Sequence, residues 1–345
     1  HNPHQDNGIK FFGPDGFKLS DEAELEIEAL VESGVDLVEA TKIGRTRHIY
    51  DGRYRYNERV KAAFPSNLSL DGMKVVIDCA NGAAYRAAPE VLWELGAEVI
   101  PVGVSPNGYN INENCGSTKP LTASETVIAH GADVGICLDG DADRCIILDE
   151  HGKVADGDQF MGLIATRWAE DGRLKGGTLV ATVMSNLGLE RHLDSKGLRL
   201  ARTGVGDRYV VEEMRKNGFN LGGEQSGHIV MTDYATTGDG LMAGLQFLGE
   251  MARTGRKASD LTAVFEPVPQ MLKNVRYSAG QTPLENDSVQ AVITGAEKEL
   301  GTKGRLLIRK SGTEPLIRVM AECEDPVLLE SIVDRIVDEV GRATA

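Results

Sequence analysis

A strand, a helix and a second strand follow one another closely within residues 73–102, and this order constrains the fold more than any other feature of the sequence. The apolar run MKVVID (73–78) predicts a buried strand, and Asn81-Gly82 predicts a turn after it. Residues 83–95 have a helical pattern, and AEVIPV (97–102) predicts the second strand. Two strands joined through a helix are expected to be parallel, with a right-handed crossover.

The same alternation continues for another 150 residues. It predicts helices at 122–130, 187–196, 207–217 and 240–251, and strands at 133–138, 145–148, 178–184 and 198–201. After the proline-containing segment 266–269 the order becomes strand 271–277, helix 284–300, strands 305–309 and 316–322, and helix 326–340. We therefore predict a multi-domain α/β fold with parallel or mixed sheets, followed by a C-terminal α+β domain, with domains at 1–60, 61–155, 156–265 and 266–345.

The first predicted domain contains one clear helix. Ser20 is a good N-cap for a helix over residues 21–33, and acidic residues occupy its first turn. Residues 42–59 are basic and irregular, which predicts a surface connection.

Size and charge exclude several function classes. At ~100–200 residues per domain, 345 residues predict more than one domain. The net charge of −15 makes nucleic-acid or anionic-membrane binding a poor interpretation, and no apolar run reaches the ~20 residues of a membrane span. Five scattered cysteines without a C-x-x-C pair argue against a disulfide framework or a zinc site, and they favour the reducing cytoplasm.

The segment LDGDADRC is the strongest chemical signal. Asp139, Asp141 and Asp143 alternate in one tight turn, where their oxygens can converge on a hard cation such as Mg²⁺ or Ca²⁺. An EF-hand is excluded because Arg144 stands where that loop requires glycine and because the flanking segments predict strands. A solvated acidic hairpin is the remaining alternative. Arg144 indicates that an anion is brought close to the cation.

Two further loops have polar groups suited to a sugar phosphate. Residues 309–315 (RKSGTEP), with Arg318 nearby, offer hydroxyls, guanidinium groups and a glycine turn to a phosphate, although a basic hairpin turn fits equally well. Glu224 and Ser226 in GGEQSGH point the same way on extended backbone and suit vicinal sugar hydroxyls, although glycine-rich turns are common.

These segments occur in the order found in the α-D-phosphohexomutases, a family that the whole chain resembles. The matching segments are HNP at residue 1, DNGIKFFGPDG (6–16), LDGDADR (138–144), GGEQSGH (222–228) and RKSGTEP (309–315). Gln225 and VVIDCANGAAY (75–85) are similar to the bacterial branch that acts on glucosamine phosphate. The family has four domains around a cleft, three α/β and one α+β.

The resemblance also implies a mechanism and a set of residues. A phosphoserine is expected immediately before His1, so this chain alone is expected to lack the nucleophile and to be inactive. Mg²⁺ on Asp139, Asp141 and Asp143 would neutralise the transferring phosphoryl group. By the same resemblance, His1, Lys10 and Arg144 are catalytic candidates, Glu224, Ser226 and His228 would bind the sugar, and Arg309, Ser311, Gly312, Thr313 and Arg318 would bind the non-reacting phosphate.

The expected reaction interconverts glucosamine 6-phosphate and glucosamine 1-phosphate, and it supplies UDP-N-acetylglucosamine for cell-wall synthesis. Glucosamine 1,6-bisphosphate or glucose 1,6-bisphosphate is the expected intermediate and activator. The alternatives are action on glucose or mannose phosphates, or, for this chain, a non-catalytic sugar-phosphate-binding role. A hexosamine phosphate is the expected partner, without nucleic acid or membrane, and the sequence leaves a homodimer open.

Overall fold

The computed structural model describes residues 2–6, 8–278, 280–311 and 314–344. Near the amino terminus, helix α1 spans Asp21–Ser33, and the Ser20 hydroxyl accepts the Ala23 N–H as predicted. Helix α2 (Gly52–Lys61) contradicts the prediction of an irregular connection over residues 42–59. Long-range contacts stabilise α2, because Val60 is fully buried and the Tyr56 hydroxyl donates to Asp239.

The first sheet contains the predicted strand–helix–strand unit. Its elements are β1 (Lys74–Asp78), α3 (Ala87–Glu94), β2 (Glu98–Val102), α4 (Leu121–His130), β3 (Val134–Leu138), β4 (Cys145–Leu148) and β5 (Val154–Ala155). The strand order is β2-β1-β3-β4-β5, with the first three strands parallel and the last two antiparallel. The carboxyl ends of β1 and β3 therefore lie at the same edge.

The second sheet repeats this arrangement. Its elements are α5 (Gly157–Glu170), β6 (Thr178–Thr182), α6 (Leu187–Ser195), β7 (Arg199–Thr203), α7 (Asp207–Asn217), β8 (Leu221–Gly223), β9 (Ile229–Met231), α8 (Gly240–Thr254) and α9 (Ala258–Thr262). The order is β7-β6-β8-β9, and only β9 is antiparallel. Buried apolar residues from both sheets belong to one hydrophobic cluster, to which α8 contributes many side chains. The two sheets thus share a core.

The C-terminal unit has a separate core. It consists of β10 (Gln270–Arg276), α10 (Asp287–Leu300), β11 (Gly304–Lys310), β12 (Leu316–Cys323) and α11 (Pro326–Thr344), with the antiparallel strand order β10-β12-β11. The predicted fold class, α/β units followed by an α+β unit, is confirmed. None of the helices in the described ranges is both long and apolar enough to cross a bilayer.

Helix α5 brings a buried acid into the core. The Asp158 side chain is fully buried, and one of its oxygens accepts the Asn186 N–H at 2.7 Å. Burial, followed by repulsion from Asp156, raises the pKa of Asp158 to about 7. The folded state therefore binds a proton at Asp158 more tightly than the unfolded state does.

We expect Asp158→Asn to flatten the pH dependence of stability. Because the folded pKa lies above the unfolded one, the stabilisation from protonated Asp158 is complete below about pH 4 and is lost as the pH rises through about 7. The wild type should lose up to about 1.4 kcal/mol per pH unit relative to the variant within that window. Thermal unfolding of both proteins between pH 4.5 and 7.5 measures this difference, and parallel curves would contradict it.

Candidate active site

The turn between β3 and β4 brings the three predicted carboxylates together. Asp139, Asp141 and Asp143 each offer an oxygen, and these oxygens lie within 4.8 Å of one another. Asp139 is fully buried and accepts the Arg144 N–H at 3.1 Å, which closes the turn. Ala142 adopts a left-handed φ of 61°, which lets the chain reverse within so few residues. We call residues 139–143 the acidic turn.

Cations surround the acidic turn. Lys10 Nζ lies 2.5 Å from Asp141 Oδ2 and 3.1 Å from Asp143 Oδ2. Arg144 Nε lies 3.9 Å from Asp139 Oδ2. Burial alone would lower the pKa of Lys10, but the carboxylates of Asp141 and Asp143 raise it, so the side chain stays an ammonium. The structure therefore brings Lys10 and Arg144 to the predicted metal ligands.

The acidic turn has the chemistry of a divalent-cation site. Burial, followed by repulsion from Asp143 and Asp141, raises the pKa of Asp139. Burial alone would also raise the pKa of Asp143, but hydrogen bonding and charge attraction from His228, and then from Lys10, lower it. A divalent cation would relieve the repulsion, and an all-oxygen donor set suits Mg²⁺ or Mn²⁺. The residues present thus fit a hard cation.

A cavity of about 850 Å³ opens beside the acidic turn. Its lining includes Lys10, Asp141, Asp143 and Arg144. The Asn81–Ala83 turn and the loop containing Asn110 and Ile111 form another wall. A hexose phosphate fits within this volume. Neither loop is among the functional segments predicted above, although Asn-Gly turns at both are visible in the sequence.

The loop between β8 and β9 approaches the acidic turn through the backbone. Arg144 and His228 form an antiparallel bridge, and the Cys145 N–H donates to the Gly227 carbonyl at 2.9 Å. Glu224 accepts the Gly206 N–H at 3.1 Å, and the Ser226 hydroxyl donates to Glu224 at 3.3 Å. The two predicted sugar-binding side chains are therefore neighbours. Gly206 lies in the glycine-containing loop before α7 and is not among the residues predicted from the sequence.

Two residues of this loop, His228 and Gln225, make contacts away from Glu224 and Ser226. His228 is buried, and its Nδ1 lies 3.4 Å from Asp143 Oδ2, so its observed contact is with the acidic turn. Its contact with sugar stays a prediction. The Gln225 amide donates to Asp156 at 3.1 Å, and the Gly157 N–H donates to the Gln225 carbonyl at 2.9 Å. Gln225 therefore attaches the loop to the amino terminus of α5.

Two of the predicted phosphate-binding residues, Arg309 and Arg318, lie on strands of the C-terminal sheet. Arg309 and Arg318 are directly opposite each other on β11 and β12, and in the described part of the chain their Nε atoms have no hydrogen-bond partner. Burial, followed by the Arg318 charge, lowers the pKa of Arg309. Two adjacent guanidinium groups suit an anion. The Ser311 N–H donates to the Leu316 carbonyl at 2.8 Å.

The structure leaves part of the predicted site unassembled. Arg309 and Arg318 are not among the described residues that line the 850 Å³ cavity. The predicted residues His1, Gly312 and Thr313 lie outside the described residues, so their roles stay predictions.

Comparison with known proteins gives matches along the chain. Four phosphoglucomutase/phosphomannomutase family models match: α/β/α domain I at residues 1–36, α/β/α domain II at 54–152, α/β/α domain III at 156–268 and the C-terminal domain at 272–339. A phosphoglucosamine mutase of Ruegeria sp. is 71% identical over 344 residues, which cover 100% of this chain and 77% of that protein. One of Cereibacter sphaeroides is 73% identical over 343 residues, covering 99% and 77%.

A solved structure shows the same fold at low sequence identity. The Aspergillus fumigatus N-acetylphosphoglucosamine mutase, in complex with GlcNAc-6P and magnesium, superposes with a TM-score of 0.69 at 21% identity. The match covers 88% of this chain and 68% of the fungal chain.

Proposed function

Because the chain belongs to the phosphoglucomutase/phosphomannomutase family and is most like bacterial phosphoglucosamine mutases, we propose that the protein interconverts glucosamine 6-phosphate and glucosamine 1-phosphate. The observation that carries the proposal is the 71–73% identity to phosphoglucosamine mutases over nearly the whole chain. The acidic turn beside a cavity of sugar-phosphate size supports it.

The proposed reaction has two phosphoryl transfers. A phosphoserine immediately before His1 in the full-length protein gives its phosphoryl group to O1 of glucosamine 6-phosphate, and the serine hydroxyl is freed. The bound 1,6-bisphosphate turns around and returns its 6-phosphoryl group to the serine, which leaves glucosamine 1-phosphate. Glucosamine 1,6-bisphosphate is thus the intermediate, and it or glucose 1,6-bisphosphate serves as activator.

Asp139, Asp141 and Asp143 would hold Mg²⁺, which neutralises charge on a transferring phosphoryl group when it is bound. The magnesium complex of the fungal relative supports this choice of metal. Lys10 and Arg144 place positive charge at the same end of the cavity. They are therefore proposed to stabilise the phosphoryl group, and His1 is proposed to act beside the serine in proton transfer.

The remaining residues are proposed to hold the substrate in both orientations. Glu224 would accept hydrogen bonds from sugar hydroxyls, and Ser226 would donate hydrogen bonds to them. His228, which contacts Asp143, is a further candidate. The phosphate that does not react would be bound by the C-terminal loop and strands. That group comprises Arg309, Ser311, Gly312, Thr313 and Arg318.

Substrate competition tests the proposed function. Mass spectrometry of the full-length protein is expected to find phosphoserine before His1, and the same protein is assayed with the 6-phosphates of glucosamine, glucose and mannose. The highest kcat/KM is expected with glucosamine 6-phosphate. Equal or better turnover of glucose or mannose 6-phosphate would overturn the glucosamine assignment, and an unphosphorylated residue other than serine before His1 would overturn the mechanism.

Arg309→Ala is expected to raise KM with little change in kcat. Arg309 is proposed to hold the spectator phosphate equally in the ground and transition states, and loss of such uniform binding affects KM. Charged hydrogen bonds of ~1.5–3 kcal/mol correspond to a rise in KM of roughly 10- to 150-fold. Steady-state kinetics measure it. Arg335→Ala on α11, which removes an exposed ion pair with Glu299 on α10, is the control and should change neither constant.

A further inference from the structure

The turn after β1 contacts the backbone of the acidic turn at Gly140. A Cβ atom at Gly82 would lie 2.1 Å from the Gly140 carbonyl oxygen and 2.6 Å from the Gly140 Cα. Both distances are far below 3.0 Å, the lower limit of Cβ contacts in real structures. The Ala83 N–H also donates to the Gly140 carbonyl at 2.8 Å. Only glycine at position 82 permits this approach.

Gly140 is enclosed from a second side. A Cβ atom at Gly140 would lie 2.6 Å from the Ile111 side chain. The loop that carries Ile111 is joined to the turn after β1, because the Asn112 N–H donates to the Ala80 carbonyl at 2.9 Å. Gly140 therefore lies between two loops that are attached to each other, and it cannot move independently of them.

The turn after β1 is held in an unfavourable backbone conformation. Ala80 and Asn81 both have left-handed φ angles, 53° and 49°. This conformation costs roughly 1–2 kcal/mol for an L-residue with a Cβ, although asparagine tolerates it better. The fully buried Asp78 supports the turn: its two oxygens accept the Ala80 N–H at 2.9 Å and the Gly116 N–H at 2.6 Å. A buried carboxylate and a strained backbone thus fix one short turn against Gly140.

We propose that Asp78 and Gly82 are positioning residues that set the geometry of the acidic turn. Gly140 lies between Asp139 and Asp141, so a displacement of Gly140 moves both carboxylates. The relevance of this to metal binding rests on the proposed function, whereas the effect on the position of the turn does not. A side chain at position 82 would push Gly140 away and separate the ligand oxygens.

Gly82→Ala in the 345-residue chain tests the proposal with two measurements. Hydrogen exchange of peptides covering residues 138–145 should become faster, and Mn²⁺, an oxygen-preferring probe cation, should bind at least about tenfold more weakly by electron paramagnetic resonance. Gly304→Ala is the matched control, because its Cβ would lie 2.2 Å from the Glu322 carbonyl oxygen in the C-terminal sheet. It should lower the melting temperature and leave both measurements unchanged.

A second pair of variants keeps the test decisive if Gly82→Ala does not fold. Asp78→Asn retains the shape of Asp78 but loses one acceptor oxygen, and the same changes are expected. Its control is Asp149→Asn, another buried acid, which accepts two N–H groups at one oxygen in the turn between β4 and β5. Unchanged exchange in both test variants, or equal changes in the controls, would overturn the proposal. Faster exchange in a protein whose wild type binds no Mn²⁺ would support the positioning role and refute the proposed metal site.

Discussion

Asp141→Asn is expected to lower kcat by roughly 100-fold or more in the full-length protein while leaving the fold intact. Asp141 offers one of three converging carboxylate oxygens and pairs with Lys10, so the change removes a proposed metal ligand and the partner of a catalytic candidate. The Asp141 side chain is partly exposed at the cavity, and asparagine has nearly the same shape. The substitution should therefore affect chemistry far more than packing.

Steady-state kinetics over a range of MgCl₂ concentrations measure the effect, and circular dichroism checks the fold. The matched control is Asp133→Asn, an exposed acid at the other end of β3 that accepts the Lys74 N–H. It should retain wild-type kcat. A normal rate for Asp141→Asn at saturating Mg²⁺ would show that this carboxylate is not a required ligand.

Local sequence patterns are sufficient to predict the acidic turn. Its three carboxylates occupy every second position, and the apolar strands on both sides limit the turn to a few conformations. The bounds of β4 and α7 match the prediction because turn residues and caps define them. Such features depend on neighbours in sequence, so they can be inferred without knowledge of the tertiary structure.

Long-range contacts could not be inferred in the same way. Lys10 reaches Asp141 across 131 residues, and the Gly82–Gly140 approach depends on the pairing of β1 with β3. Helix α5 was missed for a different reason. Asp156 is a clear N-cap, but apolar residues lie on several faces of α5 because it is buried on most of its surface, and this weakens the helical periodicity.

Arg305→Met is expected to destabilise the protein by about 3–5 kcal/mol. Glu322 on β12 is fully buried, and its carboxylate accepts hydrogen bonds from Arg305 and from the Leu187 N–H. Arg305 also donates to the Val183 and Ser185 carbonyls, so it joins the C-terminal sheet to the loop before α6. Removing the guanidinium deprives the buried carboxylate of the charge that is hydrogen-bonded to it, although Arg202 still attracts Glu322. Urea and thermal unfolding measure the loss.

Two controls identify the buried charge as the cause. Arg276→Met removes an exposed pair with Glu314 on the same sheet and should cost at most about 1 kcal/mol. The double variant Arg305→Met/Glu322→Met removes both charges, and it should recover much of the stability lost in Arg305→Met, because the desolvation penalty of Glu322 disappears with its carboxylate. If the double variant is instead less stable than Arg305→Met, the pair contributes through its hydrogen bonds to the loop rather than through charge compensation.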